Sequence, residues 1–230
     1  MSALSCATCA VRDRAACSVL AEEERDALAA AGRSRTLARG ETLFTAGDPS
    51  AACATLISGA LKISAVDAEG EERILALVHP AGFVGEMFAP FAHYDVVSLT
   101  DSTLCVFGGS EMEKAIERYP ALARALLRRS QEDLHSARDL LALSGKREAG
   151  SKLAALILGL AHGASDSSCH PAASFDLPLT RGEMAGMLGI TIETVSRRLS
   201  AFERDGLIRR NGARGILIAD RARLEALAQR

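Results

Sequence analysis

The stretch Thr180-Arg181-Gly182-Glu183-Met184-Ala185-Gly186-Met187-Leu188-Gly189-Ile190-Thr191-Ile192-Glu193-Thr194-Val195-Ser196-Arg197 decides how this chain is read. Thr180 and Glu183 have the T-x-x-E spacing of a capping box, in which hydroxyl and carboxylate each satisfy a backbone N–H at a helix start. The helix they open carries Met184, Ala185 and Leu188 inward and stops at Gly189. Only Gly189, Ile190 and Thr191 separate it from a second helix, and so short a connection forces a steep crossing. The second helix runs to Asp205 and is stopped by Gly206, with Ile192, Val195, Leu199 and Phe202 as its apolar stripe. Glu193, Ser196 and Arg197 fall on the other side of its first two turns, where a recognition helix meets base edges.

The chemistry of that triplet suits base reading. Arginine can donate two hydrogen bonds to guanine, glutamate can accept one from the cytosine amino group, and serine suits several partners. An ordinary solvated face can also read E-x-x-S-R, so the triplet needs its context. Residues 207–210, a turn at Asn211-Gly212 and residues 216–218 supply it, as a short hairpin behind the helix pair. Capping box, turn glycine, stripe and hairpin together describe a winged helix-turn-helix, and double-stranded DNA is the implied partner. Thr180 and Thr191 at the two helix starts, with Arg209 and Arg210 on the wing, complete the candidate contact set.

Working outward, 230 residues can hold two small domains. No apolar run approaches the ~20 residues of a membrane span, and no signal peptide is legible, so a cytoplasmic protein is expected. The net charge of −2 is unevenly divided. From Asp176 onward ten Arg face seven acidic residues, a surplus of three, which leaves −5 on residues 1–175. That modest surplus attracts phosphate, while specificity must come from base contacts. Nothing suggests an enzyme: there is no Gly-rich phosphate loop, no G-x-S-x-G and no paired histidines at metal-ligand spacing.

Four parts are expected: a cysteine-bearing segment over 1–20, a β domain over 21–119, a long helix over 120–145 and the winged helix over 146–230. The β domain begins with a helix over 21–31 and continues as short strands divided by turns at Gly40, Gly47, Gly59, Gly70, Gly82 and Gly85. Pro120 suits the first turn of the long helix. After Gly145, a helix over 148–161 leads to the polar stretch 163–168, read as a linker or exposed loop. In the long helix Leu127, Leu134 and Leu141 recur every seven residues, with Ser130, Ala137 and Ser144 three positions after each. Leucines alternating with small residues make a seam for an identical helix, so Leu127, Leu134, Ala137 and Leu141 are the candidate homodimer interface. Leu126, Leu140 and Leu143 are instead candidates for covering the chain's own β domain.

Gly47-Asp48, Ser58-Gly59-Ala60-Leu61-Lys62, Gly85-Glu86, the long helix and the winged helix occur in an order that resembles the cyclic-AMP receptor protein/FNR family of bacterial regulators over nearly the whole chain. Ile192-Glu193-Thr194-Val195-Ser196-Arg197 resembles the FNR branch in particular. The resemblance implies an α+β fold: a β-roll, a dimerisation helix and a winged helix-turn-helix. It also implies transcription regulation with RNA polymerase as a partner, and an inverted repeat of TTGAT half-sites. Cyclic AMP is not expected as a ligand. The family's arginine and small hydroxyl residue that hold the cyclic phosphate correspond here to Asp95 and Val96, one repelling it and the other offering no hydrogen bond.

Cysteines offer another sensor. Cys6-x2-Cys9-x7-Cys17 places three thiols within twelve residues, two of them at the spacing that grips one metal or one cluster corner. A four-iron cluster takes four thiolates. Cys105 matches the place where oxygen-sensing FNR proteins supply the fourth, so the resemblance implies a [4Fe-4S] cluster on Cys6, Cys9, Cys17 and Cys105. Tetrahedral zinc on the same thiols, thiol oxidation without a metal, and heme bound through His79 or His93 remain the alternatives. Cys53 is read as packing and Cys169 as a bystander. Many FNR-like proteins carry an acidic residue at the dimer seam; the corresponding residue here is Ala137, so a more tenacious dimer is expected.

Overall fold

The structure, a computed structural model, describes residues 6–146, 148–165 and 170–229. Cys169 and part of the polar loop before the winged helix lie outside the described residues. The chain divides into two compact units, Met1–Ser136 and Ala137–Arg230. Among the described residues no helix is long and apolar enough to cross a membrane.

In the first unit, turns over residues 6–15 and a 3-10 turn at Ala16–Val19 lead into α1 (Glu22–Ala31). Eight strands follow: β1 (Gly32–Leu37), β2 (Thr42–Phe44), β3 (Ala52–Ser58), β4 (Leu61–Val66), β5 (Glu72–Val78), β6 (Phe83–Val84), β7 (Asp95–Ser98) and β8 (Ser102–Gly108). They form two antiparallel sheets, ordered β1-β8-β3-β6 and β2-β7-β4-β5. Leu37, Leu56, Leu61, Leu104 and Val106 belong to the core they share. Because a strand alternates its side chains between faces, Cys105 and Phe107 leave that core and join a second one. It is completed by Leu28 of α1, Met112 of α2 (Gly109–Arg118) and Leu122 of α3 (Pro120–Ser144). Cys53 is wholly buried in this second core, as packing requires.

The turn before β6 differs from the expected glycine turn. Ala81 takes the positive φ, 76°, while Gly82 is needed for room: a Cβ there would lie 2.6 Å from Val78 Cγ1 and 2.8 Å from the His79 carbonyl. Gly85 combines both demands, with φ of 122° and a Cβ position 2.7 Å from Cys53 Cα. Along α3, Leu126 packs on the second core as expected, beside the buried Leu122, whereas Leu140 and Leu143 belong to neither core of the β domain. Leu127, Leu134 and Leu141 are 63%, 50% and 74% exposed, an apolar stripe along one side of the helix.

The second unit comprises α4 (Ala149–Gly163), β9 (Ser174–Asp176), α5 (Arg181–Leu188), α6 (Ile192–Arg204), β10 (Ile208–Asn211), β11 (Gly215–Ile218) and α7 (Arg221–Ala228). The hairpin is part of a three-stranded sheet ordered β10-β11-β9, in which Phe175 pairs with Ile216. Leu153, Ile157 and Leu160 of α4, Leu188 of α5, Leu199 of α6 and Leu224 of α7 are all but fully buried. One residue of the expected stripe departs from it: Ile192 is 51% exposed, because it begins α6 before the helix reaches the core.

Candidate functional site

Two sites emerge, one in each unit. In the first, residues 6–20 fold as successive turns: the Arg12 N–H donates to the Cys9 carbonyl at 3.1 Å, Ala15 to Val11 at 2.9 Å and Leu20 to Cys17 at 3.2 Å. Val11 and Ala15 anchor the segment by packing with Ala81. This brings Cys6, Cys9 and Cys17 to the outer face of β8, where they line, together with Cys105, one cavity of about 340 Å³. Phe83, Leu122 and Leu126 give it apolar walls.

Three of these thiols, Cys6, Cys17 and Cys105, are pushed above their ordinary value. Burial pushes the Cys105 thiol far up, and repulsion from charge on Cys6, Cys17 and Cys9 pushes it further. Cys17 is raised first by burial, then by Cys6 and Cys9, against the pull of Arg25. Burial and Cys9 raise Cys6 in the same way. Left alone, these groups stay protonated, and binding a metal there would expel protons. Arg25 also lines the cavity; its Nη2 donates to the Leu20 carbonyl at 2.7 Å, while its Nε is buried with no hydrogen-bond partner. Soft thiol donors, apolar walls and an orphaned guanidinium N–H fit a sulfur-rich anionic group. A single small ion fits less well, since among the described residues no three His, Cys, Asp or Glu side chains converge closely enough to hold one.

The segment is also tied to α3. Arg129 Nη2 donates to the Arg14 carbonyl at 2.8 Å, and Arg129 Nη1 pairs with Glu132 at 2.9 Å. Sequence reading missed this residue, because its partner lies 115 positions away.

A separate concavity of about 200 Å³ lies beside Gly85, Glu86, Tyr94 and Val96. Asp48 and Glu86 line it, and no Lys, Arg or His does. Asp95 accepts a hydrogen bond from the Ala46 N–H at 2.8 Å, and Val96 is buried. Both histidines proposed as heme ligands sit on loops. Burial pushes the His79 imidazole below its ordinary value, whereas His93 is exposed and its Nδ1 lies 3.1 Å from Glu86.

In the second unit the capping box forms as expected. The Glu183 N–H donates to Thr180 Oγ1 at 3.1 Å, and the Thr180 N–H donates to Glu183 Oε2 at 2.7 Å. The left-handed Gly189 closes α5, and Thr191 caps α6 by accepting from the Thr194 N–H. Val195, Leu199 and Phe202 are buried, which turns Glu193 and Arg197 to solvent and leaves Ser196 half-buried. Hydrogen bonds from its own backbone N–H and the Thr191 hydroxyl hold the Glu193 carboxyl below its ordinary value, so it stays a pure acceptor at neutral pH.

Two arginines refine the contact set. Arg181, used in sequence reading only as part of the capping box, donates through Nη1 to Ser196 Oγ at 3.2 Å and so touches the reading triplet. Arg210 is held by Glu203, with Nε 2.7 Å from Oε2, so its charge is already matched. Arg209, its exposed neighbour on the wing, has no such partner among the described residues.

Comparison with known proteins agrees with both units. Residues 34–119 match the model of a cyclic nucleotide-binding domain, and residues 151–227 match that of a Crp-like helix-turn-helix domain. The transcriptional activator protein FnrL of Cereibacter sphaeroides is 33% identical over 222 residues, 95% of this chain and 90% of that protein. The nitrogen fixation regulation protein FixK of Bradyrhizobium diazoefficiens is 32% identical over 229 residues, covering 97% and 93%. Among solved structures, FixK2 from Bradyrhizobium japonicum superposes with a TM-score of 0.75 at 25% identity, over 85% of this chain and 96% of that one.

Proposed function

The chain belongs to the CRP/FNR family of DNA-binding transcription regulators, and from that premise we propose that it is an oxygen-responsive activator using a [4Fe-4S] cluster. The observation that carries the reading is the meeting of Cys6, Cys9, Cys17 and Cys105 around one cavity. Three of these thiols sit on the N-terminal segment and the fourth on β8, so ligation ties the segment to the β-roll. Bound there, the cluster supplies a link that oxygen can break. Arg129 carries the segment's position into α3 through the Arg14 carbonyl. Released, the segment withdraws that carbonyl from Arg129, and the grip of the dimer on DNA weakens.

The test is iron, sulfide and zinc content with the visible spectrum, first without oxygen and then in air. About four irons and four sulfides per chain, in a brown protein that bleaches in air, is the expected result. A colourless protein with stoichiometric zinc overturns the sensory reading and leaves DNA binding standing. Cyclic AMP is not the ligand in this reading: the concavity beside Gly85 has two carboxylates and no cation to meet a phosphate. His93 is exposed and engaged by Glu86, which gives heme no support.

The dimer is built on α3, whose exposed Leu127, Leu134 and Leu141 flank Ala137. An alanine brings no charge repulsion to the seam. Cluster-free protein is therefore expected to run as a dimer at micromolar concentration in size-exclusion chromatography with mass detection; a clean monomer sinks this. The dimer presents two α6 helices to an inverted repeat of TTGAT half-sites, in the cytoplasm, where RNA polymerase is its further partner. Arg197→Ala should cost roughly 1–3 kcal/mol of specific binding and relax preference at one G·C pair. Equal loss on operator and random DNA removes Arg197 from base reading.

A further inference from the structure

Lys152 lies near the start of α4, among the core leucines of the DNA-binding unit, and is only 8% exposed. Its Nζ donates to the Leu188 carbonyl at 2.7 Å. Leu188 is the last residue of α5, and its carbonyl is among those a helix end leaves without an internal partner. Negative charge from the helix dipole gathers at that end, which favours a cation there. No carboxylate pairs with Lys152 among the described residues.

A buried ammonium without a counter-ion is costly, and an apolar side chain of the same length would suit the surrounding leucines better. The ammonium does something no apolar group can: it fixes one carbonyl at one point. That point adjoins Gly189, whose left-handed backbone starts the turn to α6. The turn ends at Thr191, and Glu193 follows two residues later. Base contacts depend on the angle and depth of the reading helix, whereas phosphate contacts tolerate small displacements.

We infer that Lys152 is a positioning residue for base reading, pinning the end of α5 to α4 so that α6 leaves the turn at a fixed angle. Being buried, it touches no DNA. Its loss therefore lowers specificity without lowering general affinity, a pattern opposite to that of a phosphate-binding lysine.

The test uses the full-length protein, prepared without oxygen, and an operator that the parent protein itself selects from random double-stranded DNA. Dissociation constants for operator and random duplex are measured over a range of salt, with thermal melting followed by circular dichroism. Lys152→Met is expected to bind the operator about 10- to 100-fold more weakly, the loss of about one base contact by a reading helix set at the wrong angle. Random DNA affinity, salt slope and melting temperature should match the parent. Lys152→Arg, which keeps a cationic donor, should recover most of the operator affinity. An unchanged operator-to-random ratio in Lys152→Met overturns the inference. So does equal weakening on both DNAs, a lowered melting temperature, or no recovery with arginine, since each assigns Lys152 to packing or general binding.

Discussion

Cys105→Ser should yield a folded protein without iron. Position 105 lies on the outer face of β8, between Leu104 and Val106, which carry the barrel core. Serine is nearly the size of cysteine, so the strand can keep its pairing with β1 at Ser34 and with β3 at Thr55. The chemistry changes completely: a hydroxyl is a hard donor and does not replace a soft thiolate. Cys53→Ser makes the informative comparison. Cys53 also belongs to the second core and is fully buried, and burial pushes its thiol up to about 12. It does not line the cavity of the other four cysteines. Cys53→Ser should therefore cost about 1–3 kcal/mol for a buried hydroxyl and still load iron. Metal analysis of anaerobically purified protein, paired with melting curves, reads both. Full iron in Cys105→Ser, or loss of iron from Cys53→Ser at unchanged stability, would misplace the ligand set.

A large loss of stability is expected from Gly85→Ala. At φ of 122° an L residue is strained whatever its surroundings, and here the new Cβ would also lie 2.7 Å from Cys53 Cα and 2.8 Å from the Ala52 carbonyl. Both contacts are with the backbone of β3, paired between β8 and β6, so neither can swing aside. Disfavoured backbone costs about 1–2 kcal/mol and overpacking about 1–3. A fall in melting temperature of roughly 10 °C or more follows for the β domain. Gly159→Ala is the control. Nothing lies within 4 Å of its Cβ position inside α4, and the change should stabilise by about 0.5–1 kcal/mol. A Gly85→Ala melting curve equal to the parent's would show that β3 gives way more readily than its pairing implies.

What could be read from the sequence was local. The capping box at Thr180 and Glu183 spans three residues, and Gly189 needs only its own backbone, so α5, the turn and α6 were all legible. The Pro120 start of α3 and most strands of the β-roll were legible for the same reason. Helix α2 was not, because it opens on glycine with no side-chain cap to mark its start, although Met112 and Ala115 on its buried face belong to the second core. Strand β9 is three residues long and draws its identity from pairing with β11. The site divides in the same way. The spacing of Cys6, Cys9 and Cys17 is visible in any string of letters. By contrast, Lys152 with Leu188, Arg210 with Glu203 and Arg129 with Arg14 depend on contacts between separate elements. Ile192 failed in the opposite sense: its spacing fits the stripe, but α6 has not yet reached the core where it begins.

The small cluster beneath the cysteine segment sets the energy scale of any opening there. Val11, Ala15 and Ala81 form a patch of their own, separate from the barrel core around Leu56 and Leu104. Burying a valine is worth about 1.5–3 kcal/mol and each alanine less, so this patch contributes only a few kcal/mol to docking residues 9–15, beside the bond from Arg129 to the Arg14 carbonyl. The ten-residue barrel cluster keeps its contacts throughout. The barrel core is thus thermodynamically insulated from residues 9–15, whose undocking would be a local unfolding event. A docked state held so near balance is one that bonds at a few sulfur atoms can tip.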